Sequence, residues 1–228
     1  MKKHLIILFF FSATIMQGQV LISLLLGDYL NSGVLEFGLE GGYNWSNITG
    51  LDSKKYIGNY NLGFYFDIKI KPPWYFYTGV LVKSNLGTDL LSLNDLTNLG
   101  ITPSVHNGGV YSQITKTFQV PFLIKYRFKN NLFFLGGIQS GLLYDAWVEY
   151  NLEKDNEAVR TRHYNKKELN KIDIGVMAGL GYKIKDEKDH GLSFSFRYYY
   201  GFVDVYKNIS GTKYNSFFME MTIPIGAE

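Results

Sequence analysis

From Leu35 onward the chain alternates apolar and polar side chains with a period of two, segment after segment. In the first segment Leu35, Phe37, Leu39, Gly41, Tyr43 and Trp45 share one face, and Glu36, Gly38, Glu40, Gly42, Asn44 and Ser46 share the other. Alternation at this period is the spacing of a β-strand with one greasy side. It recurs over 59–71, 74–86, 115–128, 132–148, 171–183, 192–200 and 216–223, which predicts eight strands in all. Pro121, inside the fourth segment, predicts a bulge or a weakened ladder there. Most of the segments run to ten residues or more. A tilted strand needs about 9–11 residues to cross hydrocarbon, whereas a soluble strand averages about 5–6. The pattern therefore predicts an all-β fold, an eight-stranded antiparallel up-and-down transmembrane β-barrel.

Glycine decides which face points inward. Gly38, Gly42, Gly63, Gly79, Gly137, Gly141, Gly175, Gly179, Gly181 and Gly201 fall on the polar face, with Gly41 and Gly136 as exceptions. The interior of an eight-stranded barrel is only just wide enough for its side chains, so small residues belong inside and rings on the convex surface. Energy points the same way. One Lys or Arg facing lipid at the midplane costs about 2–4 kcal/mol, against a whole-domain stability of about 5–15 kcal/mol. The lumen is thus expected to hold Glu36, Glu40, Asp67, Asp173 and Glu220 against Lys69, Lys83, Lys125, Arg127, Lys183 and Arg197, a nearly neutral set that reads as a paired network. Within it, Arg197, Glu220 and Glu40 lie at similar heights on the seventh, eighth and first strands and are expected to form a buried cluster at the barrel seam.

Connections alternate in length. Those over 49–58, 87–114, 149–170 and 202–212 are long, and those over 71–73, 129–131 and 184–190 are shorter. Bacterial barrels place long loops outside the cell and short turns in the periplasm. Trp45, Tyr144 and Trp147 then belong to an outer aromatic girdle, and Trp74, Tyr126 and Tyr182 to an inner one. The mixed-charge stretch 153–171 reads as a solvated loop, with contact to lipopolysaccharide or a partner as its functional alternative.

The N-terminus sets the compartment. Lys2 and Lys3 precede an apolar run from Leu5 to Phe11 and a more polar stretch to Gln19, the layout of an export signal too short to span a bilayer as a helix. The expected organisation is a signal peptide over 1–18, a periplasmic lead-in over 19–34 and the barrel over 35–228. Within the lead-in, Val20 to Leu30 is either a segment packed against the barrel mouth or a plug or docking element. The expected location is the cell outer membrane. Cysteine is absent, which excludes disulfides, thiolate metal sites and a lipidated N-terminal cysteine. Removing Lys2 and Lys3 leaves 21 basic against 20 acidic side chains, a balance that gives no reason to expect a nucleic-acid partner.

Several of these segments resemble the PorT-like outer-membrane β-barrel proteins of Bacteroidota, a group also labelled the porin family. The resemblance is carried by the apolar Val20 to Gly27, by Leu35-Glu-Phe-Gly-Leu-Glu-Gly-Gly, by Gln119-Val-Pro-Phe-Leu-Ile-Lys-Tyr, by Gly136-Gly137 and by Arg197-Tyr-Tyr-Tyr-Gly-Phe. It covers most of the mature chain. It implies an outer-membrane barrel in contact with outer-membrane lipid, with other envelope or secretion proteins as partners in some members.

Chemistry is sparse by comparison. His106, His163 and His190 all fall in connections, with no partner at metal or triad spacing, so no catalytic, cofactor or metal residue is expected. The expected function is a structural or interaction component of the envelope with a packed polar lumen. Three other readings stay open at this level: a small porin-like channel, a lipid-modifying enzyme acting through His106 or His163 at the rim, and a soluble secreted barrel holding a lipophile.

Overall fold

The computed structural model describes residues 33–102, 109–154, 157–184 and 191–225. The 1–18 signal segment, the lead-in up to residue 32, His106 and His190 lie outside the described residues. Nine strands follow in order: β1 (Leu35–Ile48), β2 (Ile57–Lys71), β3 (Trp74–Thr88), β4 (Val110–Arg127), β5 (Leu132–Lys154), β6 (Glu157–Tyr164), β7 (Ile172–Lys183), β8 (Ser193–Gly201) and β9 (Tyr214–Pro224). A short helix, α1 (Leu93–Asn98), lies between β3 and β4.

Each strand pairs antiparallel with its neighbour in the order β4-β3-β2-β1-β9-β8-β7-β5, and β4 pairs with β5 to close the ring. Eight strands therefore make the barrel, and β6 stands outside it. Strand β5 pairs along one edge with β4, from Phe133 to Asn151; along its other edge it pairs first with β7, from Leu132 to Leu142, and then with β6, from Trp147 to Lys154. The upper parts of β4, β5 and β6 rise past the ring as a three-stranded projection. The stretch read from its charges as a solvated loop is mostly this hairpin. Its hydrophobic pattern is short and heavily charged, and its partner is the strand just before it.

The two faces of the wall separate cleanly. Ile138, Leu142, Val176, Leu180, Phe122, Phe134 and Phe196 point outward, with Leu180 65% and Phe196 53% exposed. On the inner face, Glu40, Asn44, Asn61, Lys125, Lys183, Arg197 and Glu220 are buried. Trp74 meets Tyr126 edge-on at 4.9 Å on the inner belt, and Tyr43 meets both Trp45 and Tyr60 on the outer one.

Besides a register shift at Lys69/Lys71 beside the β2–β3 turn, two β-bulges farther up the wall interrupt this regularity. In β3, Leu62 faces Lys83 and Gly63 faces Leu81, so Val82 is the extra residue. In β5, Thr117 faces Leu143 and Lys116 faces Asp145, so Tyr144 is the extra residue. A strand's side chains alternate faces, so one inserted residue reverses every position beyond it until the register is restored. The ladder between β4 and β5 runs unbroken through Pro121, opposite Gln139, and the β4 irregularity lies at Lys116/Thr117 instead.

Space inside the ring is tight. A methyl group on Gly42 would come within 2.2 Å of Glu220 Oε2 and 2.1 Å of the Met219 carbonyl, and one on Gly181 within 2.2 Å of the Phe133 ring. Gly42→Leu is therefore expected to destabilise the barrel by about 1–3 kcal/mol or to block its closure, since overpacking a filled core forces backbone shifts. Loss of the compact, heat-modifiable band on a cold SDS gel would register it; unchanged migration and unchanged urea midpoint would contradict it.

Candidate functional site

The interior of the barrel is a stack of paired polar side chains. Nearest the mouth that bears the short turns, Lys183 Nζ reaches Glu36 Oε2 at 2.5 Å, and the Tyr65 hydroxyl donates to Glu36 Oε1 at 3.0 Å. Arg127 donates to the Tyr75 hydroxyl at the same mouth. Lys69, from the same polar face, is exposed there. One step deeper, Lys125 Nζ and Asp67 Oδ2 pair at 2.6 Å, both buried, with the ammonium 4.3 Å from the Phe133 ring centroid.

Arg197 sits at the centre, 3% exposed. Its Nη1 is 2.8 Å from Glu40 Oε1, its Nη2 donates to the Tyr77 hydroxyl at 3.1 Å and its Nε donates to Ser195 Oγ at 2.9 Å. Tyr77 in turn donates to the same Glu40 oxygen at 2.6 Å, and its ring lies under the guanidinium at 4.7 Å. The third member of the expected cluster, Glu220, accepts from Asn61 Nδ2 at 2.7 Å. Asn61 Oδ1 accepts from Asn44 and Ser84. Arg197 and Glu40 are thus in direct contact across β8 and β1, whereas Glu220 joins an amide chain running to β2 and β3. Tyr77 carries the Arg197 network across the lumen to β3. Phenols at inward positions, Tyr65, Tyr77 and Tyr199, were the available signal for this, because a ring on the crowded face fills space while its hydroxyl bonds a carboxylate. Tyr199 does so with Asp173, at 2.5 Å.

Lys83 is not in the lumen. The β3 bulge turns it outward, and it is exposed. Strict alternation from Trp74 places it on the polar face, and the single extra residue reverses that.

Above these layers the mouth is capped. Helix α1 starts with a capping box in which Ser92 and Asp95 bond each other's backbone N–H groups, and the Asp95 carboxylate also accepts from the backbone N–H groups of Asp52 and Ser53 at 2.8 and 3.1 Å. Leu91, Leu96, Leu99 and Ile101 pack there with Leu169, Val205 and Tyr206 in one apolar cluster continuous with the barrel core. The Tyr206 hydroxyl donates to Gln113, which exchanges bonds with Asn165. Hydrogen bonds tie the long connections to one another: Asp95 accepts from Asp52 and Ser53, Asn170 Nδ2 donates to the Asp204 carbonyl, and Thr49 Oγ1 donates to the Gly211 carbonyl.

On the projection, Glu149 accepts from Arg162 Nε at 2.8 Å, from Asn151 Nδ2 at 3.1 Å and from Trp147 Nε1 at 3.3 Å. His163 lies on β6 opposite Val148 and is exposed, where the sequence suggested a connection. Among the described residues, no group of three His, Asp or Glu side chains is close enough to hold a metal ion.

Two measurements test these contacts. Removing the guanidinium with Arg197→Leu leaves Glu40 buried without its counter-charge, which is expected to cost about 3–5 kcal/mol. Arg197→Lys, which keeps the charge and loses the fork, is expected to cost less. Urea unfolding of the micelle-embedded protein, followed by tryptophan fluorescence, reads both. On the projection, burial pushes the Glu149 carboxyl up, but the bonds from Arg162, Asn151 and Trp147 outweigh it and hold the group below its ordinary value. A depressed folded value means the stabilisation is present above the unfolded carboxylate range and is lost as pH falls through the folded value. Hydrogen-exchange protection of β6, corrected for intrinsic rates, should therefore fall as pH drops below the ordinary carboxylate range while β1 stays protected, and Glu149→Gln should remove the pH dependence.

A family model for the outer membrane protein beta-barrel domain matches residues 30–207. Among solved structures, the chain is similar to Ail of Yersinia pestis in complex with the heparin analogue sucrose octasulfate, at 10% identity and TM-score 0.44, covering 83% of this chain and 97% of that one. It is also similar to Neisserial surface protein A, at 7% identity and TM-score 0.39, covering 83% and 96%. OprG of Pseudomonas aeruginosa gives 12% identity and TM-score 0.34, covering 84% and 92%. No curated protein sequence matches the chain. With the model spanning most of the barrel and the ring closed by eight strands, the chain belongs to the outer membrane protein beta-barrel domain family and resides in the outer membrane.

Proposed function

We propose that this protein is a non-enzymatic component of the cell envelope that works at its surfaces and passes no solute through its centre. The observation that carries this reading is the filled lumen: Arg197, Glu40 and Tyr77 bond across it, with the Lys125–Asp67 and Lys183–Glu36 pairs on one side and the α1 cap on the other. An eight-stranded ring has no spare width around such a network. The Arg197–Glu40 contact also joins β8 to β1 across β9, so the cluster fastens the seam where the last strand meets the first. With its interior committed to packing, the wall offers two places for partners, the projection and the periplasmic end.

Involvement in protein secretion is the narrower form of this proposal, and it rests on the PorT-like segments around Leu35, Gln119 and Arg197. A second reading is a thin path for water or protons. It is favoured by the buried carboxylate oxygens Glu40 Oε2, Asp67 Oδ1 and Glu220 Oε2, which have no protein partner among the described residues. Buried polar atoms of this kind are commonly met by water.

Planar-bilayer recording separates the two. The refolded protein is expected to give no stable conductance above background in molar salt, and Arg197→Ala combined with Tyr77→Ala is expected to raise it. Large stable currents from the unaltered protein would reject the closed lumen. For the surface role, intact protein and a version with 153–158 replaced by a two-residue turn should recover different envelope proteins from detergent extracts. Identical recoveries would remove the projection as the docking surface.

A further inference from the structure

The outward face of the barrel carries cations where a lipid-facing wall ordinarily avoids them. Along β4 the outward apolar positions run from Phe128, just past the strand's end, to Phe118. Ten residues at ~3.3 Å, tilted by ~40°, span about 25 Å, the height of the hydrocarbon band of a bacterial barrel. Lys116 is the next outward residue, so it stands at the first level above hydrocarbon on the long-loop side. Lys83 reaches the same neighbourhood only through the β3 bulge, which turns it out beside Phe118 and diagonally from Lys116; Asn85, two residues on, faces Lys116 directly.

A third strand completes the patch. Past the β5 bulge, Trp147 points outward and is buried, flanked by the Tyr164 ring at 6.0 Å and by two cations: Lys116 Nζ lies 5.0 Å and the Arg162 guanidinium 4.7 Å from its ring centroid. Arg162 is balanced by Glu149. Lys83 and Lys116 form no ion pair among the described residues, although Asp145 stands opposite Lys116 in the ladder, where its Oδ1 accepts from the Ala146 backbone N–H. Just below them, toward the hydrocarbon, Phe118 and Tyr144 pack at 4.7 Å. Both bulges thus lie on strands flanking β4 at one level: the β3 bulge turns Lys83 outward, and the β5 bulge turns Asp145 and Trp147 outward, on either side of Lys116. Bulges of this kind re-aim side chains.

From this placement we propose that Lys83 and Lys116, with Trp147 and Tyr144 beside them, form a binding site for the phosphorylated head of a glycolipid in the outer leaflet, of the lipopolysaccharide type. The two ammonium groups take the phosphate, and the aromatic shelf takes the sugar face and the start of the acyl chains. Charge complementarity selects the ligand: two outward lysines that form no ion pair among the described residues stand against the single acid Asp145, at the depth where the outer leaflet carries its phosphates. The site is independent of whether the lumen conducts.

The test uses the full mature protein in non-ionic micelles, with bisphosphorylated lipid A and enzymatically dephosphorylated lipid A as probes and native mass spectrometry reading bound fractions. Lipid A is expected to bind, and the dephosphorylated form to bind at least tenfold more weakly. A cation near an anionic surface contributes about a factor of five, so K83Q/K116Q is expected to lose about 10- to 30-fold. K83R/K116R, which keeps the charge, should bind as the unaltered protein does. K54Q, which removes an exposed lysine from the first long connection, should change nothing. Equal binding of the two lipid A forms, unaltered binding by K83Q/K116Q, or an equal loss in K54Q would each overturn the site. Folding of each variant is checked by heat-modifiable migration; should K83Q/K116Q not fold, the dephosphorylated lipid and the arginine variant decide the matter.

Discussion

An eight-stranded ring is too narrow to keep water around a charge, so an ionic side chain on its inner face must find its partner in the wall itself. Buried ions leave water at a cost of several kcal/mol each, returned only when geometry and additional hydrogen bonds are good. The lumen meets this requirement in layers, Lys183 with Glu36, Lys125 with Asp67 and Arg197 with Glu40, and uses phenols as spacers that also donate. Glycines such as Gly42 and Gly181 follow from the same constraint, because the partners they face occupy the volume a side chain would need. The exterior depends on it as well. With polar groups paired inside, the outer surface is free to be apolar from Phe128 to Phe118, and among the described residues no helix is long and apolar enough to cross a membrane, so the crossing is made by strands.

Much of this architecture was readable from alternation alone. The eight barrel strands, the inward polar face and the two aromatic belts all follow from a period of two plus the size of glycine. Alternation is blind to phase slips, however. Lys83 has the right residue type for the lumen and the right count from Trp74, and Val82 alone moves it to the other face. The projection was missed for a different reason. Strand β6, with Arg160, Arg162 and His163 exposed, has no core face to leave an apolar signature, so its strand character comes from the edge that β5 offers it.

At the seam, heights counted along separate strands placed Arg197, Glu40 and Glu220 together, and Arg197 meets Glu40 while Glu220 turns to Asn61. Register could be estimated from strand ends, but the choice among several donors within reach depends on side-chain direction. Tyr77 entered the network from the far wall, β3, which no count along neighbouring strands would bring near β8. Contacts across a lumen depend on its diameter, and diameter is a property of strand number and shear taken together.

Strand β5 belongs to two structures at once. Its lower half is barrel wall between β4 and β7, its upper half is the middle of the projection, and it passes between them without a loop, with β4 alongside from Val110 opposite Asn151 down to Arg127 opposite Phe133. A pull on the tip of the hairpin, directed away from the cell, therefore runs along these two strands and loads their ladder lengthwise, so that many hydrogen bonds share the strain and none is peeled first. The projection is built as a mast stepped into the hull, able to bear tension applied at its tip.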